Sequence, residues 1–150
     1  MCGDHHSRVS GGGALAVMRP PSFSTGTSLI PMAGRLFFHN RTEERSLATH
    51  VIFTVDSPCE FASRTAEPFL VMIHETGDLT KPATTSPSWA TFSLNPVIGD
   101  LVSGKIPPLE IELGQPMKIE VGADGIIGRR VSVWTHNGAG PVAEGIVGYN

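Results

Sequence analysis

From Gly34 onward the chain consists of short apolar runs separated by turn-forming residues, and no window carries an apolar stripe at the helical period. The runs have the length of strands, and 17 glycines and 12 prolines supply many turns between them. Short strands at regular spacing are typical of sandwiches and small barrels. The pattern therefore predicts an all-β fold, either an antiparallel β-sandwich or a jelly-roll-like barrel.

Six strands are predicted directly from apolar or alternating runs. They are Arg35–His39, Leu47–Val55, Phe69–Ile73, Trp89–Leu94, Arg130–Thr135 and Val142–Tyr149. Apolar and polar residues alternate in Leu47–Val55, which predicts a half-buried strand. Phe69–Ile73 is apolar throughout, which favours a central strand covered on both faces.

A hairpin is predicted near the middle of the domain. Leu109–Leu113 and Met117–Val121 would be its strands, with Gly114-Gln115-Pro116 as the loop. That register would place Glu110 opposite Glu120. Such a pair would suit a cation or a salt bridge to another chain, but solvated charges on an exposed face are the more common arrangement.

Residues 1–33 form a separate region in this interpretation. They carry Gly11-Gly12-Gly13, Pro20-Pro21 and scattered serines, without periodic apolar positions. A segment of this composition buries too little apolar surface to offset the entropy lost on ordering. We expect a flexible N-terminal arm over residues 1–33 and one β-sandwich domain over residues 34–150. Translation starting at Met18 or Met32 is an alternative explanation of the change in pattern.

Charge and hydropathy exclude two kinds of partner. The formal net charge is −3 at pH 7, which gives no general attraction to a phosphate backbone, so we expect no nucleic-acid partner. Ala14–Met18 is apolar but too short to span a bilayer, and we expect no membrane association. Cys2 and Cys59 do not define a disulfide framework, so the sequence leaves the cellular compartment undetermined.

Spacings that mark chemistry are missing from the sequence. Neither His-x-His nor His-Glu-x-x-His occurs, and no Gly-x-Ser-x-Gly or phosphate-binding glycine loop is present. His50 and His74 lie on predicted strands and could meet in space, but two ligands do not make a metal site. We therefore predict no metal, no cofactor and no catalytic residues.

One strand face mixes residues that suit ligand recognition. In the run from Arg130, the alternation places Arg130, Ser132, Trp134 and His136 on the side opposite Val131 and Val133. An aromatic ring beside cationic and hydroxyl groups is common in binding sites. These four residues are the predicted ligand-binding site, although a tryptophan in a small β domain is more often part of the core.

Two classes of function fit these observations. The first is a non-enzymatic structural or assembly protein that forms a homo-oligomer or binds a protein partner, as accessory and decoration proteins of virus particles and some surface proteins do. The second is a carbohydrate- or small-ligand-binding β domain, with or without enzyme activity. The absence of catalytic spacing favours the first class.

Overall fold

The computed structural model describes residues 12–22, 32–42, 44–56, 68–94, 109–135 and 140–150. These residues are nearly all β-structure, without an α-helix among them. The nine strands are β1 (Ala14–Met18), β2 (Gly34–His39), β3 (Leu47–Val55), β4 (Phe69–His74), β5 (Ser88–Leu94), β6 (Leu109–Val121), β7 (Gly125–Ile127), β8 (Arg130–Thr135) and β9 (Pro141–Tyr149). A short 3₁₀ turn at Ala83–Thr85 precedes β5.

All nine strands belong to one sheet in the order β5-β4-β8-β9-β1-β2-β3-β6-β7. Every neighbouring pair is antiparallel except β6 and β7, which run parallel, so the sheet is mixed rather than purely antiparallel. The hydrogen-bonded ladder does not close between β5 and β7. The prediction of an all-β fold is confirmed at this level.

The core lies on one face of the sheet, and alternate residues of β1 and β2 are buried in it, whereas β8 and β9 are buried on both faces over most of their length. Leu36 and Phe38 of β2 and Val51 and Phe53 of β3 are at most 1% exposed. Aromatic contacts cross between strands that are not neighbours in the sheet. The rings of Phe38 and Phe92 meet edge to face with centroids 6.5 Å apart, and those of Phe53 and Phe69 do the same. The β4–β5 end and the β2–β3 region therefore share one hydrophobic core.

The N-terminal segment is partly built into the sheet, which corrects the predicted arm over residues 1–33. Ala14–Met18 pairs with β2 on one side and with β9 on the other. Ala14, Ala16 and Met18 are almost fully buried in the core. Pairing with both neighbours satisfies the backbone hydrogen-bonding groups of this strand. The domain therefore includes residues that precede Gly34. The rest of the predicted arm lies largely outside the described residues.

The predicted hairpin at residues 109–121 is wrong. These residues form the single strand β6, which pairs with β3 over residues 109–112 and again at residues 117–118. The register jumps from Ala48 opposite Met117 to His50 opposite Glu112, so the Gly114-Gln115-Pro116 segment bulges out of the ladder instead of reversing the chain. The loss of ladder hydrogen bonds at a proline is compatible with such a bulge. Glu110 consequently lies opposite Ile52 and not opposite Glu120.

Candidate functional site

Three of the four predicted site residues share a face of β8, as the alternation indicated. Arg130, Ser132 and Trp134 lie opposite the core residues Val131 and Val133, while His136 lies outside the described residues. Arg130 is 1% exposed and Ser132 is fully buried, and Trp134 is half-buried. This face is therefore covered, although it is not the face that packs into the hydrophobic core.

Ser132 is the centre of a buried hydrogen-bond network. Its Oγ lies 2.7 Å from Nε2 of His74 on the neighbouring strand β4, and it accepts a hydrogen bond of 2.8 Å from Nε1 of Trp134. Nδ1 of His74 lies 3.2 Å from the carbonyl oxygen of Ser86, which can only accept, so Nδ1 carries the proton. The Ser132 hydroxyl then donates to Nε2. Burial lowers the pKa of His74, which keeps the ring neutral.

A buried ion pair stands beside this network. Arg130 donates through Nη2 to Oε2 of Glu144 on β9, and Glu144 is only 5% exposed. Nη1 of Arg130 donates to the carbonyl oxygens of Asp78 (3.0 Å) and Lys81 (2.7 Å). The other carboxylate oxygen of Glu144 accepts from the backbone N–H of Ser22 at 3.2 Å. The ion pair thus fixes the loop after β4 and the segment after β1 over this end of the sheet.

Arg129 makes a second set of backbone contacts. Its guanidinium donates to the carbonyl oxygens of Gly125, Ala123 and Glu75 at distances of 2.7–2.8 Å. The same group lies 4.3 Å from the ring centroid of Trp89, in a cation–π contact. Trp89 is also packed against the core. Arg129 therefore ties the turn before β7 to β4 and β5.

The geometry of Ser132 and His74 permits one catalytic interpretation. A hydroxyl within hydrogen-bond distance of a neutral histidine, itself oriented by a third group, is the arrangement of a nucleophile and its base. Both residues are fully buried, however, and the Trp134 indole already occupies Ser132 Oγ. A substrate would have to displace this indole or the loop at Ser86. The arrangement is better suited to a satisfied polar network that holds β4, β8 and the covering loop together.

A second polar cluster lies on the outer face of β2, β3 and β6. His39 and His50 are cross-strand partners with ring centroids 5.5 Å apart. Glu110 accepts a hydrogen bond of 2.7 Å from Arg41, and its Oε1 lies 3.6 Å from His39 Nε2. Burial lowers the pKa of His39 even though Glu110 opposes that shift, and the hydrogen bond from Arg41 lowers the pKa of Glu110.

A small cavity of about 210 Å³ opens next to this cluster. Its lining residues are Gly12, Gly13, His39, Asn40, Thr42, Glu44, Arg45 and Ile119. The Asn40 side chain is engaged by the Thr42 backbone N–H and hydroxyl and by the Thr49 hydroxyl, which orders the wall of the cavity. The volume is below that of most drug-sized ligand sites, so only a small polar molecule would fit.

The open end of the sheet at β5 is the third candidate surface. Within the described parts of the chain, β5 is hydrogen-bonded along one side only, to β4. Its sequence, Ser-Trp-Ala-Thr-Phe-Ser-Leu, contains neither a charged residue nor a proline. Exposed edge strands usually carry such residues because unpaired backbone groups otherwise recruit another strand.

The sequence reasoning missed two members of the buried network, His74 and Glu144. His74 was considered only with His50, and the two do not meet, since His50 contacts His39 and Thr49 on a strand that is not adjacent to β4. Glu144 was not singled out at all. The sequence does carry a signal for it, because Glu144 is the one charged residue in the apolar run Val142–Tyr149.

Comparisons with known proteins add no family assignment. No model of a known protein family matches the chain, and a search of the curated proteins found no significant match. Among the described residues, no group of three or more histidine, cysteine, aspartate or glutamate side chains is arranged to hold a metal ion. The same residues include no helix that has the length and apolarity to cross a membrane.

Proposed function

We propose that the protein is a non-enzymatic assembly protein, a β-sandwich interaction module that associates with itself or with a protein partner. The proposal covers accessory or decoration proteins of virus particles and surface proteins, which use small β domains in this way. The single observation that carries it is the uncharged strand β5 at the open end of the sheet.

The physical argument rests on the backbone of β5. Among the described residues, nothing pairs with one side of this seven-residue strand. Unpaired N–H and C=O groups along a strand edge pair readily with a strand of another chain. Ser88, Thr91 and Ser93 of this strand are exposed to solvent. Without charge on the strand, no repulsion opposes the approach of a neighbour.

The proposal includes the finer architecture as well. We infer an antiparallel sandwich or jelly-roll-like barrel, apart from the parallel pair β6–β7. The contacts Phe38–Phe92 and Phe53–Phe69 support this view because they join strands that are distant in the sheet order. Two layers of strands packed in this way would leave the outer faces and the edges available for assembly.

The native mass tests this function. Light scattering after size exclusion should give a mass that is a multiple of 15.9 kDa or that rises with protein concentration. The full chain is the correct sample, because removal of residues 1–31 would delete the central strand β1. A constant mass of 15.9 kDa at concentrations up to about 1 mM, with no partner bound, would contradict the proposal.

Small-ligand binding is the second candidate function, and the cavity beside His39 favours it. Its lining combines Arg45, His39 and Thr42, which suit a small anion such as a carboxylate, with Glu44, whose negative charge opposes one. Titration calorimetry with acetate and phosphate would test it. Binding that is lost in Arg45→Gln but kept in Arg41→Gln would support this function, and absence of binding would exclude these anions.

A further inference from the structure

The two ends of the open sheet differ in how well they can accept another strand. At one end, β7 has three residues and runs parallel to β6, so it offers a short edge. At the other end, β5 has seven residues, and the only irregularity of its pairing lies near its start, between Ala90 and Ser88. The stretch from Ala90 to Leu94 is regularly paired with β4 and is the better template for a further strand.

We propose that the partner at this edge is a second copy of the same chain, which adds its own β5 in antiparallel orientation about a two-fold axis at Thr91. This inference rests on the proposed assembly function and specifies its partner. With the axis at Thr91, the Thr91 residues of the two copies lie opposite each other. The same axis places Ala90 opposite Phe92 and Trp89 opposite Ser93.

The side chains of β5 are complementary to themselves in this register. Each bulky residue meets a small one, since Phe92 lies across from Ala90 and Trp89 across from Ser93. Two threonines directly opposite each other form a favourable cross-strand pair. The exposed side chain of Thr91 also lies on the face of the sheet opposite the core ring of Phe92, so the pair forms without disturbing the core.

Antiparallel addition also explains why assembly would stop at a defined size. A two-fold contact uses the same edge on both subunits, so both free edges are consumed in one step. Parallel addition in register would instead place Trp89 on Trp89 and Phe92 on Phe92, so bulky side chains would face each other. The self-complementary pairing therefore favours a closed dimer with a continuous sheet across two subunits.

Charge substitutions at Thr91 test the axis directly. In Thr91→Lys, two like charges face each other across the axis, and in Thr91→Glu the same holds for two carboxylates. We expect each variant alone to be monomeric at concentrations where the natural chain is dimeric, with a dimer dissociation constant at least about tenfold higher. An equimolar mixture of the two variants should restore the dimer, because lysine then faces glutamate.

Ser93→Lys is the matched control. It adds the same charge on the same exposed face, but the substituted position lies two residues from the axis, so the two new lysines do not face each other. Circular dichroism verifies that all variants are folded, and sedimentation equilibrium gives the association constants. The expected result is a dimer for the natural chain, for Ser93→Lys and for the mixture.

The other outcomes separate this inference from the proposed function. An oligomer that persists in Thr91→Lys would overturn the two-fold pairing and leave the assembly function standing. Equal loss of association in Thr91→Lys and Ser93→Lys, without rescue in the mixture, would overturn the register. A natural chain that binds another protein through β5 but stays monomeric alone would replace the second copy by that partner. A monomer that binds nothing would overturn both proposals.

Discussion

The ion pair between Arg130 and Glu144 gives the sharpest prediction about stability. Both side chains are almost fully buried, so removal of either partner leaves a charge in a site where water cannot solvate it. Breaking a buried pair in this way costs about 3–5 kcal/mol. Arg130→Met and Glu144→Met, measured separately by urea unfolding, should therefore each lower the free energy of unfolding by about that amount.

The double variant should be far more stable than the sum of the two losses predicts. With both charges gone, the remaining cost comes from the backbone groups of Asp78, Lys81 and Ser22 that lose their partners. Three hydrogen bonds at about 1 kcal/mol each give a loss of about 3 kcal/mol, against about 6–10 kcal/mol for the summed single losses. Losses that add within about 0.5 kcal/mol would refute the reasoning, because independent sites behave in that way.

Three further predictions concern other parts of the molecule. The pKa of His74 is below its ordinary value, so on acidification the unfolded chain takes up a proton that the folded chain excludes. The free energy of unfolding should therefore fall as the pH drops below about 6.5, by at most about 1.4 kcal/mol per pH unit. Urea titrations from pH 7.5 to pH 5.5 should show a flatter dependence of this free energy on pH for His74→Gln. Gly125→Ala should unfold the turn before β7, since a Cβ there would lie 1.8 Å from the carbonyl oxygen of Glu120. Gly114→Ala, with open space around it, should leave the melting temperature nearly unchanged. Equal changes in melting temperature for the two variants would contradict the packing described. Arg41→Ala should cost less than about 1 kcal/mol, because the Arg41–Glu110 pair is exposed to solvent, and a loss comparable with that of Arg130→Met would contradict this ranking.

Local sequence was sufficient to predict the bounds of a strand where apolar and polar residues alternate along it. The predicted strands Leu47–Val55 and Arg130–Thr135 have the bounds observed for β3 and β8, because alternation and apolar runs are local signals. β1 was missed because Ala14–Met18 is short and lies between glycines and prolines. Its strand character comes from β2 and β9, and no local pattern reveals those partners.

The candidate site shows the same division between local and long-range information. Alternation correctly placed Arg130, Ser132 and Trp134 on one face. Their burial depends on the loop at Asp78–Ser86 and on Ser22, which cover that face through tertiary contacts. The interior of β6 depends on long-range contacts in the same way. Gly114-Gln115-Pro116 has the composition of a turn, and only pairing with β3 on both sides of it makes the segment a bulge.

The position of β1 between β2 and β9 has a consequence for how the chain folds during synthesis. β9 follows all the other described strands, yet β1 needs it for half of its hydrogen bonds. Until β9 has left the ribosome, β1 would keep an open side, and the sheet would lack the connection between its two ends. Contacts that close such long stretches of chain form slowly. Folding of the complete sheet is therefore expected to wait until β9 has been synthesised, which would give chaperones a period in which to act on the unfinished domain.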